Sequence, residues 1–125
     1  MITLTTDDVI NIHDTILDTE RGLHGYHGDN ALGGALGRIE NQVNYGGIDD
    51  VFEIAAWYVE SIARGHCFAD ANKRTALVSA LTYLELNDIT IPDDERLADM
   101  VEDLVKREIT REDVALIFEA MALTN

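Results

Sequence analysis

With 125 residues, 46% of them hydrophobic, and a formal net charge of −15, the chain has the size of one domain built around one core. Nine basic side chains against 24 acidic ones would mostly repel a phosphodiester backbone, which argues against direct nucleic-acid binding; the acidic surface either steers a basic protein partner or serves solubility, as in a salty cell. No apolar run reaches membrane-spanning length, the amino terminus lacks the regions of a signal peptide, and the lone Cys67 forbids an internal disulfide framework, so a soluble cytoplasmic protein without membrane contact is expected.

Thr5 and Asp8 are placed to start a first helix, whose apolar stripe is Val9, Ile10, Ile12, His13, Ile16 and Leu17. The glycine-dense stretch 21–29 then reads as an ordered loop, and its His24 and His27, lacking a sure third ligand, read as solvated. A second helix carries Leu32, Leu36, Ile39 and Val43 inward, weakened by Gly33, Gly34 and Gly37. Asp50 with Glu53 resembles a capping box for a third, burying Val51, Ile54, Ala55, Tyr58 and Ile62 up to a stop at Gly65. The next helix, from about Asn72 to Leu86, is apolar nearly all round and belongs in the middle of a bundle. Ile89-Thr90-Ile91 suggests a short extended piece before Pro92. Leu97, Met100, Val101, Leu104 and Val105 mark a fifth helix, and Thr110 with Asp113 opens a sixth that buries Val114, Ile117, Phe118 and Met121. The expected fold is all-α: a compact bundle of about six helices forming one domain over residues 1–125.

The chemistry concentrates in His66-Cys67-Phe68-Ala69-Asp70-Ala71-Asn72-Lys73-Arg74, between the third and fourth helices. A helix start offers unpaired N–H groups and the positive end of the helix dipole, and this one adds Lys73 and Arg74. Cations there are misplaced unless an anion joins them, and phosphate is the natural anion. Asp70 beside a phosphate would repel it unless a divalent cation bridges the two. His66 supplies the side-chain type best suited to proton transfer near neutrality. Base, metal-holding carboxylate and phosphate clamp are the parts of phosphoryl transfer. Each residue alone has a structural alternative: His66 a satisfied histidine, Asp70 an N-cap or a partner of Arg74, Lys73 and Arg74 a solvated face. Cys67 reads as packing and Phe68 as an anchor of the loop in the core.

The string His66-x-Phe68-x-Asp70-Ala71-Asn72-Lys73-Arg74-Thr75-Ala76 resembles the signature of the Fic/Doc family, and the lysine is similar to that of its Doc (death-on-curing) toxin branch. The likeness extends through Gly22-Leu23-x-Gly25 and Leu36-x-Arg38 to Asn87. It implies that His66 is the base acting on a target hydroxyl, that Asp70 holds Mg²⁺ at the phosphates of ATP, and that Asn72, Lys73 and Arg74 bind those phosphates. It makes Phe68 the structural anchor of the motif, and Gly22, Leu23 and Gly25 part of a flap that positions the target.

Ala71, Lys73 and Leu77 stand where adenylyl-transferring Fic enzymes have glycine, glycine and a second arginine. The resemblance therefore implies transfer of the terminal phosphate of ATP to a Thr or Ser hydroxyl, with elongation factor Tu as target and arrested translation as outcome. Transfer of AMP on the same scaffold, or an inactive antitoxin-binding module, are the alternatives. The family's self-restraining helix, Ser/Thr-x-x-x-Glu-Gly/Asn, is absent: Glu40-Asn41 has Leu36 in place of the hydroxyl. Restraint is therefore expected from a separate antitoxin, an amphipathic Phd-like chain.

Overall fold

The computed structural model describes residues 2–19 and 29–123. Six helices follow in order: α1 (Thr6–Thr19), α2 (Asp29–Asn44), α3 (Val51–Arg64), α4 (Asn72–Leu86), α5 (Arg96–Val105) and α6 (Arg111–Met121). The described residues hold no strand; an isolated antiparallel bridge joins Thr90 to Leu123, which places the expected extended piece against the far end of α6. The fold is all-α. None of the described helices is long and apolar enough to cross a membrane.

Local side-chain chemistry sets three of the helix starts. Thr5 and Asp8 exchange bonds reciprocally, Asp8 N–H to Thr5 Oγ1 at 3.2 Å and Thr5 N–H to Asp8 Oδ2 at 2.8 Å. Thr110 and Asp113 repeat the arrangement for α6. Asp50 accepts from the N–H groups of Phe52 and Glu53 and so caps α3.

The middle of the bundle is shared by two helices. The sequence pointed to α4 alone, yet α3 packs against α2, α4, α5 and α6, whereas α4 packs against α1, α3 and α5. Eight residues of α3 are buried, including Tyr58 and Ile62, because its alanines and β-branched side chains let neighbours approach on several sides. Tyr58 and Tyr83 bring α3 and α4 together with ring centroids 5.1 Å apart, and burial raises the pKa of both phenols.

Both ends of α4 are fastened by an asparagine amide that pairs with main chain like a neighbouring strand. At the far end, Asn87 Oδ1 accepts from Ile2 N–H at 2.9 Å while its Nδ2 donates to Ile2 C=O at 2.8 Å. At the near end, Asn72 does the same to Phe68, and there the loop of interest begins.

Candidate active site

The loop from Gly65 to Ala71 leaves the end of α3 and turns back into the start of α4. Gly65 permits the exit: a Cβ there would meet Ser61 O at 2.5 Å and Cys67 Sγ at 3.0 Å. Arg64, one residue earlier, ties this corner to the bundle, donating to Glu60 Oε2 at 3.2 Å and to the Leu104 carbonyl at the end of α5. Two non-glycine residues of the loop take left-handed backbone, His66 at φ 49° and Ala71 at φ 63°. Each costs on the order of 1–2 kcal/mol, so the surrounding contacts must hold them.

Those contacts come from below. Cys67 and Phe68 are buried, and burial pushes the Cys67 thiol pKa up, against the opposing pull of the Arg38 guanidinium. The thiol is therefore packed as an unreactive side chain. Phe68 stacks on the His13 ring with centroids 3.9 Å apart and planes 8° from parallel. Asn72 Oδ1 accepts from Phe68 N–H at 3.0 Å, and Asn72 Nδ2 donates to Phe68 C=O at 2.9 Å. Asn72 thus shapes the loop with its side chain and leaves its own N–H group at the start of α4.

The upper surface carries the polar groups. His66, Asp70, Lys73 and Arg74 are all exposed. Asp70 is set by a bond from Ala71 N–H to its Oδ1, at 2.8 Å. Ala71 is the N-cap of α4 and offers no side-chain bond to the helix, whose first turn contains no acid. Lys73 reaches across to α5, where its Nζ donates to Glu102 Oε2 at 2.6 Å; that ion pair holds the Glu102 carboxyl below its usual range, and Lys106 adds a weaker contact. Leu77 lies partly buried against the core, so no second cation stands one turn further along α4.

Sequence spacing therefore brings His66, Asp70, Lys73 and Arg74 onto one loop and helix start, with Phe68 beneath them. The flap residues Gly22, Leu23 and Gly25, with His24 and His27, lie outside the described residues. Two participants went unseen in the sequence. His13, read there as one member of an apolar stripe, lies under the loop; Glu102 reaches Lys73 from 29 positions away. For His13 the available signal was a lone histidine on an otherwise aliphatic face.

Comparison with known proteins identifies the family. The model of the Fic/DOC family matches residues 3–84, which span every element from α1 into α4. The chain belongs to the Fic/Doc family. It is 38% identical over 112 residues to the protein kinase doc of Escherichia phage P1, covering 90% of this chain and 89% of that one. It is also 37% identical over 62 residues to the toxin Doc of Mycolicibacterium smegmatis, covering 50% of this chain and 47% of the relative. The loop just described, with its backbone turned at His66 and Ala71, lies within the residues that the family model matches.

Among the described residues no group of three or more His, Cys, Asp or Glu side chains gathers at metal-ligating spacing. Asp70 is the carboxylate the loop provides. One carboxylate beside an anion-attracting helix start is a donor set suited to Mg²⁺ that arrives with phosphate, since Mg²⁺ keeps several waters and takes few protein ligands.

Proposed function

We propose that this Fic/Doc protein is the toxin of a toxin–antitoxin pair and transfers the terminal phosphate of ATP to a Ser or Thr hydroxyl of a target protein. One observation carries the reading. A helix start without acidic residues or side-chain cap presents Lys73 and Arg74 beside Asp70, with His66 on the same loop. Its relatives, a protein kinase and a toxin, point the same way.

In this reading the main-chain N–H groups at the start of α4 receive the phosphate oxygens, and Lys73 and Arg74 balance their charge. Asp70, oriented by Ala71 N–H, would hold Mg²⁺, which would supply charge neutralisation at the phosphates. His66 takes the proton of the acceptor hydroxyl. The hydroxyl oxygen then forms its bond to the terminal phosphorus as the bond to the β–γ bridging oxygen breaks, and ADP leaves. Phe68 and Asn72 hold the loop in place for this.

Elongation factor Tu is the target to examine first, with translation arrest in the cytoplasm as the consequence and an amphipathic Phd-like antitoxin as the restraint. The −15 net charge suits an antitoxin segment with a basic face. The test is an intact-mass spectrum of translation factors incubated with the protein, ATP and Mg²⁺. Phosphate transfer adds ~80 Da and AMP transfer ~329 Da. A gain of the smaller mass supports the proposal; the larger gain, or none, overturns it.

A further inference from the structure

His13 is 1% exposed, although it carries two polar ring nitrogens into a part of the core where any aliphatic side chain would be cheaper to bury. Both nitrogens have partners. Nε2 lies 3.1 Å from the Asp70 carbonyl oxygen, and Nδ1 lies 3.2 Å from Asp14 Oδ1. Both partners can only accept: Nε2 carries a hydrogen and donates it to the Asp70 carbonyl, and Nδ1 bonds the exposed Asp14 carboxylate only where it too carries one. The same ring stacks on Phe68.

The Asp70–Ala71 peptide unit is thereby gripped on both edges. Its C=O accepts from His13, and its N–H donates to the carboxylate of Asp70 itself. The unit is planar, so turning it would swing both groups together. The orientation of the Asp70 carboxylate is coupled through that one plane to a ring on α1, 57 positions earlier in the chain.

We infer that His13 is a positioning residue, which fixes the Asp70–Ala71 peptide plane and so aims the Asp70 carboxylate at the nucleotide-borne cation. This rests on the phosphotransferase reading for what Asp70 holds. It separates the two tasks of one ring: stacking on Phe68 supports the fold, and the Nε2 hydrogen bond aims the carboxylate.

Two substitutions divide those tasks. His13→Phe keeps a ring to stack on Phe68 and loses the donor. His13→Gln loses the stack and keeps an amide N–H near the place of Nε2. We expect His13→Phe to melt close to wild type yet bind Mg·ATP about fivefold more weakly, the scale of one lost buried hydrogen bond. His13→Gln should melt lower and bind Mg·ATP as wild type does. Affinity that instead follows stability, with Gln the weaker binder and Phe unaffected, would reduce His13 to a packing residue and overturn the inference.

An NMR readout keeps this apart from failure of the functional reading. In the nucleotide-free protein, the Ala71 amide resonance should move in His13→Phe and stay near its wild-type position in His13→Gln. A wild-type protein that binds no Mg·ATP, with the amide behaving as expected, defeats the phosphotransferase reading and leaves the coupling standing. An Ala71 amide unmoved in His13→Phe defeats the coupling itself.

Discussion

Helices α4 and α6 begin in opposite ways. At α6, Thr110 and Asp113 form a reciprocal capping box, and Glu112 and Asp113 put negative charge on the positive end of the dipole. At α4 the cap is Ala71 in a left-handed conformation, the first turn has no acid, and Lys73 and Arg74 stand where acids would be favourable. The first is a helix start completed by its own chain. The second has no acid or side-chain cap of its own in that turn, and in the proposed function a phosphate anion would supply what the first obtains from Asp113.

The largest effect expected from breaking this contrast falls on chemistry rather than binding. His66→Ala should lower transfer by about 10²–10⁴, the usual contribution of a positioned base, while Mg·ATP still binds, because His66 acts on the acceptor. A transfer assay beside a nucleotide titration checks both halves. Undiminished transfer by a folded His66→Ala protein would remove the base from the account.

The self-completed start should respond in the reverse sense. Thr110→Ala removes the capping box of α6 and is expected to cost about 0.5–2 kcal/mol of stability. Tm should drop by a few degrees while transfer at a temperature well below the transition is unchanged. A loss of transfer without a change in Tm would show that the end of α6 communicates with the loop.

A smaller effect is expected where the incomplete start borrows an anion from its own chain. The Lys73–Glu102 pair is exposed to solvent, so it contributes little to stability. Glu102→Gln should leave Tm nearly unaltered and tighten Mg·ATP binding by a small factor, about fivefold at most, because Lys73 no longer divides its charge. The same pair should open in acid: its pairing with Lys73 holds Glu102 below the usual glutamate range, so the contact is present above that range and is lost as the pH falls through the depressed value. Weaker binding by Glu102→Gln would mean that Glu102 places Lys73 for the phosphate instead of competing with it.

What the sequence revealed was local. Thr5 with Asp8, Asp50, and Thr110 with Asp113 announce their helices because each capping bond spans only three residues. The helix from Asn72 to Leu86 was bounded by its apolar surround and by the loop before it. The three glycines of α2 weakened that helix on paper, yet Gly33 and Gly37 face open space and do not interrupt it. The candidate site was legible as a list of side chains because the motif is contiguous. Its support was not. Asn72 folding back on Phe68, His13 reaching Asp70 and Lys73 reaching Glu102 are products of packing, and nothing in their spacing marks them. The central role of α3 was hidden for a similar reason: its alanines record how closely neighbours approach, but not how many neighbours there are.

The direct test of the incomplete helix start is a calorimetric titration of Mg·ATP into wild type and into the Lys73→Ala/Arg74→Ala double variant. The account predicts saturable binding by wild type and binding weaker by about tenfold or more in the double variant, as charge-assisted bonds to phosphate are lost, with Tm nearly unaltered because relief at the positive end of the dipole offsets the lost Lys73–Glu102 pair. Equal affinity in the two proteins would contradict it, leaving Lys73 and Arg74 with no part in nucleotide binding.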